Sequence, residues 1–151
     1  LSVVPHLGHG LVVLRSFGKF YGLAGLRLGF ALAMPELLAP VAAQLGPWPV
    51  SGPALAVGAA ALDDGEWGAA MMARLAQWSA RLDGVLAAAG LAVVGGTSLF
   101  QLGRHAQAAE LYQRLGRAGI LVRAFDGRPH LLRFGLPEDE AGLERLAQAL
   151  A

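Results

Sequence analysis

Between Glu66 and Ala89 the apolar residues fall at a helical period, and this stretch constrains the fold more than any other. Met71, Met72, Leu75, Trp78, Leu82, Val85, Leu86 and Ala89 recur at three- and four-residue steps. Arg74, Gln77, Arg81 and Asp83 fall largely between them. That pattern predicts one long amphipathic helix with a single buried stripe. Gly90 follows, where a helix can end in a left-handed turn. A helix of this length needs a partner surface, and the residues after it supply candidates. "LAVVGG" and "SLFQL" read as short strands, 106–118 as an amphipathic helix ended by Gly119, "ILVRA" and "HLLRFGL" as further strands, and 137–151 as a last helix. Acidic residues in the first turn of that last helix suit its dipole. The order β-β-α-β-β-α predicts an α/β or α+β class.

The residues before Glu66 read differently. "VVLRS" at 12–16 predicts a buried strand, 18–26 an irregular Gly-punctuated loop, and 28–33 a second strand. Pro35 opens a helix to about Ala43, at a position where its missing N–H costs nothing. From Leu37 to Leu62 there is no charged residue, a run long enough to span a bilayer. Pro40, Pro47, Pro49 and Pro53 break that run into a helix, a connection and another helix, so no membrane span is expected. Ser51 is placed to cap the second helix, with Pro53 in its first turn. A domain boundary is expected in this Pro-rich connection, giving 1–50 and 51–151.

Composition narrows the function classes. The chain is 55% hydrophobic and 15% charged, which supplies a large core and argues against disorder. Its net charge is +1, with no basic stripe of the kind nucleic-acid binding needs. There is no cysteine, so disulfides and thiolate metal sites are excluded. His6, His9, His105 and His130 are scattered without metal spacing or a paired carboxylate, so no metal is expected. No signal peptide is visible, and a cytoplasmic location is expected.

One lysine stands out. Lys19 is the only lysine among twelve basic residues, and it lies in "RSFGKFYGLAGLRLGF". A free lysine amine titrates at about 10.4. Burial or a nearby cation would lower that value and make the amine nucleophilic, as Schiff-base lysines require. Taken alone, Lys19 reads more readily as a surface loop residue. Ser16 and Arg27 alter that balance, because a hydroxyl and a guanidinium beside an amine suit a bound phosphate. A Walker-type nucleotide loop fails: Phe20 follows the lysine where Ser or Thr is required, and no glycine stands at the right upstream distance. A small molecule with an aldehyde and a phosphate, pyridoxal 5'-phosphate, satisfies the remaining pattern.

"SFGKFYGLAGLRLGF" resembles the lysine segment of fold-type I pyridoxal-phosphate enzymes of the class I/II aminotransferase superfamily, with S-x-x-K followed by G-L-x-G-x-R-x-G. Together with "GPWPVSGPAL", "GILVRAF" and "LLRFGLP" it looks most like the threonine-phosphate decarboxylases of cobalamin biosynthesis, close relatives of histidinol-phosphate aminotransferases. The resemblance covers essentially the whole chain. It implies that Lys19 carries the cofactor and shuttles protons, and that Ser16 and Arg27 hold the cofactor phosphate. It implies that Arg133 grips the substrate α-carboxylate and that Arg123 lies near the substrate phosphate. The residues themselves leave other roles open. Arg133 sits in a mostly apolar strand, where a charge is costly unless paired, and Glu138 or Asp139 could pair with it. Gly18 departs from the pattern, since many relatives carry a second phosphate-binding hydroxyl there.

The resemblance also implies an order of parts. Residues 1–50 correspond to the end of a large cofactor domain, and 51–151 to a small C-terminal domain with a bridging helix. Family members run to more than twice this length, and the aspartate, stacking aromatic and asparagine or tyrosine around the cofactor ring have no counterpart here. The expected reaction is decarboxylation of L-threonine O-3-phosphate, impaired in a chain lacking those groups. Transamination of a histidinol-phosphate type is the first alternative. A non-catalytic fragment or a phospho-ligand binding module is the second. The implied partner is a small phosphorylated amino acid, and the implied assembly a homodimer.

Overall fold

A computed structural model describes residues 2–151. It contains the strands β1 (Val13–Ser16), β2 (Gly29–Leu32), β3 (Ala92–Thr97), β4 (Phe100–Arg104), β5 (Arg123–Ala124) and β6 (Leu131–Gly135). The helices are α1 (Pro35–Leu45), α2 (Gly52–Asp63), α3 (Gly65–Ala88), α4 (Ala108–Arg117) and α5 (Glu140–Leu150). The chain divides into two compact units, one ending at Gly65 and one running from Glu66 to Ala151. No helix among the described residues is long and apolar enough to cross a membrane.

In the first unit β1 and β2 form a two-stranded antiparallel ladder, pairing Val13 with Leu32 and Ser16 with Gly29. Phe17 and Leu28, just beyond the paired ends, are its buried residues together with Ala54 and Gly58 of α2. The two sets meet: a Cβ placed on Gly58 would fall on the Leu28 side chain and lie 3.7 Å from the Phe17 ring. Helix α2 therefore groups with the strands of this unit. Ser51 caps it as expected, its Oγ accepting from the Ala54 N–H at 3.3 Å. The buried strand expected at 12–16 is corrected by the structure. Leu14 is 76% exposed, and β1 is exposed along most of its length. A two-stranded ladder has no third strand or covering layer to bury its alternate residues.

The second unit is a four-stranded antiparallel sheet in the order β3-β4-β6-β5 with helices against one face. Side chains alternate between faces along a strand. In β6, Leu132 and Phe134 are buried while Arg133 between them is half-buried on the other face. The core joins these two residues to Leu82 and Leu86 of α3, Leu111 and Leu115 of α4, and Leu143 and Leu146 of α5. The predicted stripe of α3 thus finds its partner surface. Both predicted glycine stops close their helices the same way. Gly90 and Gly119 have positive φ, and the next residue returns a hydrogen bond, Leu91 N–H to Leu86 O at 3.0 Å and Ile120 N–H to Leu115 O at 2.8 Å.

Helices α4 and α5 cap each other. Arg114 of α4 donates to Leu150 O at 2.6 Å, and Arg145 of α5 donates to Ala118 O. Each guanidinium thereby satisfies a carbonyl left over at the other helix's C-terminal end. Arg114→Ala is expected to cost about 1 kcal/mol, read as a fall in the thermal midpoint. Arg81 of α3 and Glu140 of α5 form a two-pronged ion pair. The Glu140 carboxyl titrates below its ordinary value, chiefly because Arg81 donates to it; desolvation opposes this shift and the Arg81 charge adds to it. Its contribution to stability is present above the unfolded-state carboxylate value and is lost as pH falls through the lowered folded value. Wild type is therefore expected to lose more thermal stability than Glu140→Gln between about pH 7 and about pH 3, as compared by thermal denaturation.

Candidate functional site

The loop between β1 and β2 is built around aromatic rings. Phe17 is buried and stacks on Tyr21 at 4.9 Å, Phe20 meets Tyr21 edge-on at 5.1 Å, and Phe30 leans on Phe17 at 5.8 Å. Two backbone bonds close the loop on itself, Phe17 N–H to Leu28 O at 3.2 Å and Leu23 N–H to Phe17 O at 2.9 Å. The turn from 19 to 22 is closed by Gly22 N–H donating to Lys19 O at 3.0 Å. Lys19 lies in that turn and its side chain is exposed.

Ser16 and Arg27 are brought to the same end of the ladder. Ser16 ends β1 opposite Gly29, and Arg27 lies two residues before that glycine. Gly29 is required by the close approach: a Cβ there would stand 2.8 Å from Arg15 O. Arg27 follows a single 3₁₀ turn, Ala24–Leu26, and adopts a left-handed backbone with φ 54°. It is the one non-glycine residue with positive φ among the described residues. That conformation is uncommon for a side chain of this size, and glycine or asparagine would fit it better. Its guanidinium donates one bond to Ala24 O at 3.2 Å and is otherwise exposed. Among the described residues no carboxylate forms an ion pair with Lys19 or Arg27. The loop thus presents a hydroxyl, an amine and a guanidinium from one hairpin end, with two positive charges uncompensated. Gly18 adds no side chain, and a Cβ there would press on Ala24 at 3.2–3.3 Å.

Arg123 and Arg133 belong to the second unit. They are direct partners in the β5–β6 ladder. Like charges placed directly opposite each other destabilise a sheet. No acid pairs with either of them among the described residues. Asp139 is instead committed to capping α5, accepting from Gly142 N–H at 2.8 Å. The ion pair with Glu138 or Asp139, open on the sequence, does not form. Two aromatic rings take its place: the Arg133 guanidinium lies 4.9 Å from the centroid of Phe100, and that of Arg123 lies 5.7 Å from Phe125. Sequence reading missed both rings, because the Phe100 contact depends on strand register.

A family description, aminotransferase class I and II, matches residues 2–150. The chain belongs to the class I and II aminotransferase family. Among its relatives, a threonine-phosphate decarboxylase from Sinorhizobium sp. is 53% identical over the whole of this chain and 45% of its own length. A histidinol-phosphate aminotransferase from Symbiobacterium thermophilum is 39% identical over 85% of this chain and 34% of its own. The chain therefore spans less than half the length of the curated relatives it matches. A solved histidinol-phosphate aminotransferase from Sinorhizobium meliloti, in complex with pyridoxal-5'-phosphate, superposes with a TM-score of 0.78 over 99% of this chain and 43% of its own, at 23% identity. The mixed α/β class expected from the sequence is that of this family. The superposition covers nearly all of this chain, the loop between β1 and β2 included.

Proposed function

We propose that this chain is the lysine-bearing and C-terminal part of a pyridoxal-phosphate-dependent decarboxylase. Its reaction is L-threonine O-3-phosphate to (R)-1-aminopropan-2-ol O-2-phosphate and CO₂. The observation that carries the cofactor reading is the convergence of Ser16, Lys19 and an otherwise unpaired Arg27 at one hairpin end. The residues fit the group: a phosphate monoester takes charge-assisted bonds from a guanidinium and a hydroxyl, and an aldehyde takes an amine. The unfavourable backbone of Arg27 supports the same reading, since it is a cost retained for the side chain. Pyridoxal phosphate supplies an electron sink when it is bound.

The roles of the chain's own side chains follow. Lys19 Nζ holds the cofactor and moves a proton. Ser16 Oγ and the Arg27 guanidinium take its phosphate. Arg133 receives the substrate carboxylate, and Arg123, directly opposite it, receives the substrate phosphate. An anion between these two arginines removes the like-charge repulsion that the ladder otherwise imposes. The higher identity to a threonine-phosphate decarboxylase supports decarboxylation. The histidinol-phosphate aminotransferase relative favours transamination as the second reading. Residues 1–50 are proposed as the end of the large cofactor domain and 51–151 as the small domain with its bridging helical segment, whose first helix, α2, packs back on Phe17 and Leu28, in a cytoplasmic homodimer.

The test uses the protein that carries both the large-domain residues and this chain, supplied with pyridoxal phosphate and O-phospho-L-threonine. CO₂ release without keto acid is expected. Keto acid without CO₂ would replace the decarboxylase reading with the aminotransferase one. Neither product, with the phosphoamino acid still bound, would support a binding module.

A further inference from the structure

We propose that Phe100 is a positioning residue for Arg133: its ring, lying under the guanidinium, fixes the plane in which that cation meets a carboxylate. The proposal deepens the reading above and rests on its assignment of Arg133 to the substrate carboxylate.

The geometry leads there in three steps. Arg133 shares its face of the sheet with Arg123, its direct partner, so repulsion pushes the two guanidinium groups apart. An arginine side chain has several rotatable bonds, and a bidentate grip on a carboxylate needs one plane and one edge. Something on that face must hold the plane, and no acid among the described residues does so. Phe100 of β4 is paired with Gly135, two residues beyond Arg133, which makes it the diagonal neighbour of Arg133 on the same face. Gly135 has no side chain to occupy the space between them. The guanidinium carbon stands 4.9 Å from the ring centroid, inside the range in which a cation is attracted to an aromatic face. A ring contact leaves the N–H edge free, whereas an acid partner would consume it.

A phenylalanine on a half-exposed sheet face could also serve only to pack the strand. Phe100→Leu separates the two roles, because it retains apolar bulk and removes the ring. The readout is the rate at which p-hydroxyphenylglyoxal modifies Arg133, followed by peptide mass spectrometry, with Arg104 as internal control. Phe100→Leu is expected to speed Arg133 modification about two- to five-fold, leave Arg104 unchanged, and shift the thermal midpoint little. Phe100→Trp is expected to restore the slow rate. In wild type, O-phospho-L-threonine should protect Arg133, and Phe100→Leu should weaken that protection by a similar factor. An unchanged Arg133 rate in Phe100→Leu, or no recovery in Phe100→Trp, would overturn the positioning role even if protection is seen. Absence of protection in wild type would overturn the carboxylate assignment, and the proposal with it, whatever the variant rates.

Discussion

Lys19→Ala is expected to abolish attachment of pyridoxal phosphate to the chain, while Arg27→Ala weakens it and leaves it possible. The measurement is intact-mass and peptide analysis after incubation with the cofactor and reduction by borohydride. Lys19 is the only lysine in this sequence, so no other lysine among these residues can take its place. An adduct that survives Lys19→Ala on the peptide containing residue 19, or that never forms in wild type, would refute the assignment. Arg27 acts through charge and hydrogen bonding with a phosphate, where removal of one charged donor at an exposed site costs about ten-fold in affinity. Ser16→Ala, losing a neutral hydroxyl, should cost less than that. The ranking Lys19, Arg27, Ser16 follows from bond type: covalent, ionic, neutral. The position of Arg27 adds a further contrast. Arg27→Gly removes the guanidinium and relieves the left-handed backbone at once. It should therefore bind cofactor as poorly as Arg27→Ala yet melt higher than that variant.

Much of the helical framework was readable in the sequence because its signals are local. The stripe of α3, the glycine stops at Gly90 and Gly119 and the cap at Ser51 each depend on a few neighbouring residues, and each is found where expected. Signals that depend on a distant partner were read less well. A run such as "VVLRS" says that a strand forms, but not what covers it, and Leu14 is largely exposed. "ILVRA" forms only two strand residues, because Ile120 is tied back to α4 and Val122 turns into the core while Leu121 is 92% exposed. The last helix begins at Glu140 and not at Pro137, because Asp139 caps it. That Ser16, Lys19 and Arg27 fall on one loop follows from their closeness in sequence. That Arg123 and Arg133 stand opposite one another, and that rings replace acids as their neighbours, required the register of β4, β5 and β6.

Phe134→Ala is expected to cost the second unit about 3–5 kcal/mol. Phe134 is fully buried and sits where the helices meet the sheet, paired across the ladder with Gln101. Its ring leaves so little room that a Cβ on Gly103 of the neighbouring strand would lie 3.3 Å from it. Truncation therefore opens a cavity lined by leucines held on separate elements, and they cannot all move inward to fill it. Small domains hold only about 5–15 kcal/mol in total, so the thermal midpoint should fall by more than about 10 °C. Leu121→Ala is the control, since Leu121 is 92% exposed and its removal should change stability by less than about 0.5 kcal/mol. Both substitutions delete a large apolar side chain from one unit, so a comparable loss in the two would mean that burial is not what sets the cost. The effect also reaches the arginine pair. Strand alternation places Arg133 on one face because Leu132 and Phe134 are fixed on the other. Below its lowered midpoint the variant should still show slow Arg133 modification, and above it Arg133 should react at the same rate as Arg104. That coincidence of unfolding and loss of protection would tie the position of Arg133 to the core beneath it.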